Sequence, residues 1–172
     1  MAVVVLELVN ARAAGVAFSA DPLTGKRDRI VIESNWGYGE SVVQGVVTPD
    51  RAIVDKADLR VLDEVVSEKV IVSVFDPSKG LVVEIPTPQL FRKQAVLSAE
   101  EIQSIAQAVR SVEEKADGPV DVEWVLPGHR KAGDPPVLVQ VRPITTLAEC
   151  APAPTPAWNP AAYAGKYAFG SN

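Results

Sequence analysis

Cysteine and histidine are nearly missing from this chain of 172 residues, which has one of each, Cys150 and His129. A single cysteine excludes an intrachain disulfide and fits a reducing compartment. One cysteine with one histidine also argues against a structural zinc site within the chain. Cys150 reads as a spare residue at the edge of a tail, and His129, in the polar turn Pro127-Gly128-His129-Arg130-Lys131, as a solvated side chain. There is no block of one charge: 17 Lys and Arg stand against 22 Asp and Glu, a net charge of −5. Such a chain has no electrostatic footprint for nucleic acid or for an anionic membrane. An anionic ligand would therefore be held by a few placed cations. Long apolar runs are absent too. Met1-Ala2-Val3-Val4-Val5-Leu6 is interrupted by Glu7, with no basic n-region and no small-residue cleavage pattern, so no signal peptide is read here. Nothing approaches the roughly 20 apolar residues of a membrane span. The expectation is a soluble, cytoplasmic protein.

What is present suffices for one ordinary domain. The 47% hydrophobic content can build a core, and 23% charged residues is normal for a folded chain. Val3 to Val9 is rich in β-branched residues and predicts a buried strand. A second short strand is expected over Gly15 to Ser19, closed by the turn Asp21-Pro22-Leu23-Thr24-Gly25. Arg29 to Glu33 alternates polar and apolar, then breaks at Asn35-Trp36-Gly37-Tyr38-Gly39-Glu40, after which Ser41 to Gly45 reads as a short helical turn. Gly37, Gly39 and Gly45 permit close backbone approach. Ala52 to Asp55, Val70 to Phe75 and Leu81 to Ile85 are further extended stretches, the last two joined by the hairpin loop Asp76-Pro77-Ser78-Lys79-Gly80.

The clearest helix is expected from Ala99 to Lys115. Ser98 and Glu101 have capping-box spacing, each side chain satisfying an orphan backbone N–H. Ile102, Ile105, Ala106, Val109 and Val112 recur at three- and four-residue intervals, one buried stripe. Gly118 and Pro119 end the helix. Strands over Val120 to Leu126 and Pro136 to Arg142 follow. From Ala148 the character changes to a Pro/Ala linker and an aromatic tail, Trp158 to Asn172. The expected fold class is α+β: a mixed, mainly antiparallel sheet with one long amphipathic helix, over residues 1–147.

Four polar residues near the end carry the chemistry. Residues two apart on a strand share a face, so Asp121 pairs with Glu123 and Gln140 with Arg142. If the two strands are antiparallel neighbours, all four converge on one patch. Carboxylate oxygens for a divalent metal, beside a guanidinium and an amide for phosphate oxygens, are what a magnesium–nucleotide site needs. The same pattern also suits an ordinary cross-strand pair on a solvated face. No Walker-type G-x-x-x-x-G-K-S/T cradle accompanies it.

Four motifs raise the nucleotide reading above the ordinary one. Ala14-Gly15-Val16-Ala17-Phe18-Ser19-Ala20-Asp21-Pro22-Leu23-Thr24-Gly25 resembles the A-G-V-A-F-T-x-D-P-x-T-G signature of the pyruvate phosphate dikinase and phosphoenolpyruvate synthase family. Trp36-Gly37-Tyr38-Gly39-Glu40-Ser41-Val42-Val43-Gln44-Gly45 with Thr48-Pro49-Asp50 is similar to its G-L-G-E-x-V-V-x-G and T-P-D. Asp121-Val122-Glu123-Trp124 resembles D-I-E-W, and Val139-Gln140-Val141-Arg142-Pro143-Ile144-Thr145 resembles L-Q-x-R-P-x-T. The resemblance covers the C-terminal part of the N-terminal, ATP-grasp-like nucleotide-binding domain.

This resemblance implies a dikinase-type phosphotransferase that splits ATP to AMP and passes a phosphoryl group through a phosphohistidine to an acceptor such as pyruvate. It implies ATP and Mg2+ as cofactors. Asp121 and Glu123 would hold the metal or orient the nucleotide, Gln140 would assist, and Arg142 would neutralise charge on the transferred phosphoryl oxygens. Glu40 is a further nucleotide-binding candidate, equally readable as a favourable charge at a helix start. Lys69 falls near a family lysine. The partners implied are an N-terminal ATP-binding lobe supplying a phosphate-clamping lysine and arginine, and a phosphohistidine domain, in the same protein or on a separate subunit; neither nucleic acid nor membrane is expected. The chain departs from the pattern in three places: Val5-Leu6-Glu7-Leu8-Val9 lacks the glutamine of V-Q-x-M-V, Tyr38 replaces leucine, and no T-S-H-x-A motif surrounds His129. These departures leave a second expectation open, a non-catalytic nucleotide-sensing or interaction module.

Overall fold

The computed structural model describes residues 7–39, 47–131 and 133–145, with residues 3, 5 and 147. Eight strands and two helices run along the described chain: β1 Ala11–Phe18, β2 Arg29–Trp36, β3 Asp50–Asp55, β4 Val61–Val65, β5 Ile71–Asp76, β6 Leu81–Pro86, α1 Gln89–Arg92, α2 Ala99–Glu113, β7 Val120–Pro127 and β8 Val137–Pro143. Six strands form one sheet in the order β4-β3-β2-β1-β7-β8, and β5 pairs with β6 in a separate two-stranded ribbon. Every pairing between these strands is antiparallel. The expected α+β class, a mainly antiparallel sheet with one long amphipathic helix, is borne out, in keeping with the ATP-grasp-like architecture. No helix among the described residues is long and apolar enough to cross a membrane.

The core lies between α2 and one face of the sheet. Ile102, Ile105, Ala106 and Val109 of α2 are buried against Ala13, Ala17, Ile30, Ile32, Ala52 and Val54, and against Val120, Val122, Trp124 and Leu126 of β7. Burying each large apolar side chain contributes about 1.5–3 kcal/mol, so this stripe drives the docking of α2. The helix begins as its sequence dictates. Ser98 Oγ accepts from Glu101 N at 3.3 Å while Glu101 Oε2 accepts from Ser98 N at 2.9 Å. Its other end is tied to the sheet through Glu113, which accepts from Ser19 Oγ at 2.9 Å and pairs with Lys56 Nζ at 2.9 Å.

Two glycines permit this packing. A Cβ on Gly15 would lie 1.9 Å from the Glu33 carbonyl oxygen and 3.0 Å from the Trp124 ring, so the bare backbone makes room for both the neighbouring strand and the buried indole. Gly37 has φ +72°, and a Cβ there would lie 2.0 Å from the Ser73 carbonyl oxygen. That close approach, with Tyr38 N donating to Ser73 O at 2.9 Å, brings the β5–β6 ribbon against the end of β2.

The strand expected over Val3 to Val9 is not found among the described residues of that stretch; the first strand starts at Ala11. Val3, Val5 and Leu8 are exposed there, and β-branched residues favour strands only when a neighbour and burial reward them. β2 runs past Glu33 to Trp36, held by Asn35 Nδ2 donating to Ile71 O at 3.2 Å. β4 and α1 carry no sequence expectation: β4 is mostly exposed, and α1 buries no residue. The Asp76–Gly80 loop closes as expected, with Gly80 N donating to Asp76 O at 2.9 Å. The helical turn expected at Ser41 to Gly45, Glu40, and the linker and tail from Ala148 lie outside the described residues.

Candidate functional site

β7 alternates strictly. Val120, Val122, Trp124 and Leu126 point at α2 and are buried, so Asp121 and Glu123 point to the opposite face, helix-free among the described residues. β8 lies antiparallel beside it with Asp121 opposite Arg142 and Glu123 opposite Gln140. The register brings together the four polar residues that the sequence singles out.

A β-bulge is what makes this register possible. Glu123 pairs with Gln140, yet the next residue, Trp124, pairs with Leu138, leaving Val139 as the extra residue. Leu138 and Gln140 are two apart and would share a face in a regular strand. Across the bulge they do not: Leu138 packs on the core, and Gln140 lies across from Glu123 on the helix-free face. Each half of β8 thereby meets its own neighbours.

Within the patch, Arg142 Nη2 donates to Asp121 Oδ2 at 3.0 Å and to Glu123 Oε1 at 3.4 Å. The guanidinium is the most exposed member, its side chain 51% exposed against 18% for Asp121 and 24% for Glu123. Asp121 Oδ1 is buried with no hydrogen-bond partner among the described residues. A buried carboxylate oxygen without a partner is costly, which makes it a ready acceptor for a cation or a ligand donor. Across β7 the register continues to β1, with Phe18 opposite Asp121 and Val16 opposite Glu123. These two apolar residues, with Val47 and Ile71, form a small cluster of their own. The polar patch therefore borders an apolar floor.

One titratable group on this face escapes the sequence reading. Glu33 lies opposite Val16 on β2, in the same cross-strand row as Glu123. Burial pushes its carboxyl above the ordinary value, with the Arg51 guanidinium pulling the other way. The only sequence signal for it is its place in the alternation of β2. Lys69, the family-like lysine, is buried completely and donates to Asp50 Oδ1 at 2.5 Å and to Ser67 O at 2.9 Å. Its amine is spent on the scaffold. Glu40 lies outside the described residues. A separate polar hollow of about 360 Å³ opens at the start of α2, on the helix side of the sheet, where Arg12 and Arg130 both pair with Glu101.

Among the described residues, no group of three or more His, Cys, Asp or Glu converges as a complete metal cage. Asp121 and Glu123 offer a pair of hard oxygen donors, which suits Mg2+, an ion that commonly takes one or two protein carboxylates and completes its shell with water and phosphate.

Comparison with known proteins bears on what such a patch does. A family model described as pyruvate phosphate dikinase, AMP/ATP-binding domain matches residues 1–159. A probable phosphoenolpyruvate synthase of Pyrococcus horikoshii is 37% identical over 155 residues, covering 87% of this chain and 18% of that protein. Another, of Methanothermobacter thermautotrophicus, is 44% identical over 149 residues, covering 87% of this chain and 21% of its own length. The prodigiosin synthesizing transferase PigC of Serratia marcescens is 39% identical over 149 residues, covering 87% of this chain and 16% of its own. The chain thus spans about a fifth or less of these curated relatives, most of whose length lies outside the matched region.

Proposed function

This chain belongs to the pyruvate phosphate dikinase AMP/ATP-binding domain family, and from that membership we propose that its helix-free sheet face binds Mg-ATP as the nucleotide site of a dikinase-type phosphotransferase. The observation that carries the proposal is the register of β7 and β8, which sets Asp121 opposite Arg142 and Glu123 opposite Gln140 on that face.

Each residue has a role suited to its chemistry. Asp121 and Glu123 hold the metal, Oδ1 of Asp121, without a partner among the described residues, being the donor with most to gain. Magnesium, when bound, neutralises and fixes phosphate oxygens. The Gln140 amide, beside Glu123, orients a phosphate oxygen or a metal-bound water. Arg142 reaches from the exposed edge strand to the transferred phosphoryl group, where a planar guanidinium matches oxygens in pairs. Such placement matters because phosphoryl transfer is mostly positioning plus electrostatic stabilisation. Val16 and Phe18 give the nucleotide an apolar floor and keep water away from one side of it.

In the reaction proposed for the whole enzyme, ATP is split to AMP and a phosphoryl group passes to a histidine on another domain, then to an acceptor such as pyruvate. That histidine is not His129, whose surroundings carry no T-S-H-x-A motif. The N-terminal lobe and the histidine domain are the partners this scheme requires. Within the chain, residues 1–147 form the nucleotide-binding unit and residues 148–172 the linker and tail.

Calorimetric titration with Mg-ATP of the chain and of an Arg142→Ala/Gln140→Ala variant tests the site. Binding that is lost in the variant supports it. Wild-type and variant affinities that agree sink the assignment of Arg142 and Gln140, and a folded wild-type chain that takes up no nucleotide sinks the proposal that this face binds ATP unaided.

A further inference from the structure

The side chain that should meet phosphate lies instead on the two that should hold the metal. Arg142 Nη2 is 3.0 Å from Asp121 Oδ2 and 3.4 Å from Glu123 Oε1, so one nitrogen bridges both carboxylates. A magnesium ion held by Asp121 and Glu123 would take the place on these oxygens that the guanidinium occupies. The guanidinium and the ion cannot both take that place. Two carboxylates on adjacent same-face positions of one strand repel each other unless a positive charge sits near, and Arg142 is the cation that pairs with them.

We propose that Arg142 is a placeholder for the divalent cation. Without ligand it neutralises Asp121 and Glu123 and keeps them poised on one face. When metal and nucleotide arrive together, the ion takes over the carboxylates and the guanidinium is released toward the phosphate oxygens. Two features make the exchange easy. The Arg142 side chain is 51% exposed on an edge strand, so it can swing without disturbing the core. Asp121 Oδ1 has no partner among the described residues while the arginine is in place, an acceptor that the guanidinium leaves unused. The inference rests on the nucleotide-site reading given above and adds an order to it: free metal has to displace an internal cation, whereas metal bound to ATP brings the phosphates that receive the displaced arginine. The site is thereby biased against the bare ion and toward the metal–nucleotide complex.

The test uses Mn2+ alone as the probe, since it takes the same hard oxygen ligands and is counted by its paramagnetic resonance signal. The full chain, Arg142→Ala and Arg142→Ala/Asp121→Asn are titrated with Mn2+ in the absence of nucleotide, and then with Mg-ATP, with circular dichroism verifying each fold. The pair is partly exposed and so of modest strength, which sets the expected gain in Mn2+ affinity for Arg142→Ala at about threefold to tenfold. The double variant should lose that gain. Equal or weaker Mn2+ binding by Arg142→Ala, or no Mn2+ binding by either protein, overturns the placeholder. Weaker Mg-ATP binding with unchanged Mn2+ binding removes the placeholder and leaves the nucleotide site standing. Tighter Mn2+ binding with unchanged Mg-ATP binding does the reverse: the placeholder stands, and the phosphate role of Arg142 falls.

Discussion

Lys69 Nζ and Asp50 Oδ1 meet at 2.5 Å in the interior, the lysine with no exposed surface. Asp50 also accepts from Ser67 N at 2.8 Å and from Val96 N at 2.9 Å. One carboxylate thus fastens the start of β3, the segment before β5 and the approach to α2. Removing one partner of a buried pair leaves the other charge uncompensated, at about 3–5 kcal/mol. Lys69→Met should lower the free energy of urea unfolding by that order, while the nucleotide affinity of the molecules still folded stays as in the wild type. A loss of affinity without a loss of stability would return Lys69 to the ligand site.

Gly15→Ala should destabilise the sheet without touching any charged group. Its Cβ would fall 1.9 Å from the Glu33 carbonyl oxygen and 3.0 Å from the buried Trp124 ring, and neither strand backbone nor packed indole leaves much room to adjust. Overpacking of this kind costs about 1–3 kcal/mol and occasionally more. Thermal unfolding followed by circular dichroism measures it; an unchanged midpoint would mean that β1 and β2 are not packed this closely.

Glu33 gives stability an unusual slope with pH. Its carboxyl is raised by burial above the reference value of 4.5, against the pull of Arg51. Between the unfolded and folded values the native state binds more protons than the unfolded one. Stability contributed by this group is therefore full below about pH 4.5 and declines as pH rises through the native value. Glu33→Gln removes that decline. The variant should be more stable than the wild type near pH 7 and indistinguishable from it near pH 4, in denaturant titrations at the two pH values.

Asp21 works in the opposite sense. Burial pushes its carboxyl up, but hydrogen bonds from Thr24 and Leu23 and the charge of Arg51 outweigh it and hold the group below the reference value of 3.8. Its contribution is present above that value and lost as pH falls through the lower native one. Asp21→Asn should cost stability at pH 7, with the difference closing at acid pH. A difference that holds constant down to about pH 2 would mean the carboxylate's charge has no part in the turn.

Glu123→Gln should weaken Mg-ATP binding about tenfold or more, 1.4 kcal/mol per decade, by removing half of the carboxylate pair. It should leave binding of ATP in EDTA nearly unchanged. Titrations with and without the metal separate the two, and an equal loss in both would assign Glu123 to the nucleotide itself.

How far the sequence carried depended on where each signal was stored. The stripe of Ile102, Ile105, Ala106 and Val109 and the Ser98–Glu101 cap are local, and α2 formed where they said, stopping within two residues of Lys115. The convergence of Asp121, Glu123, Gln140 and Arg142 was legible because strand alternation is local as well, and the short loop made the two strands neighbours. What needed distant partners was not legible. Val3 to Val9 has a strand's composition but no strand among its described residues, and β4 has a strand's neighbours without its apolar pattern. Glu33 joins the row of Glu123 only because Val16 lies between them on a third strand, a fact of topology that no window of sequence contains.

The extra residue in β8 has a consequence for how this strand tolerates change. Val139 is a phase shift: before it, alternation is set by the core, and after it, by the face that carries the four polar residues. The two halves are therefore free to vary under separate demands, Leu138 answering to volume and Gln140 and Arg142 to chemistry. Pairing Val139 in an unbroken ladder would put the strand back in step with itself and rotate Gln140 and Arg142 away from the carboxylates, while Leu138 kept its place in the core. The protein would remain folded with the proposed nucleotide site taken apart, a failure that no inventory of side chains would reveal, since every one of the four would still be there.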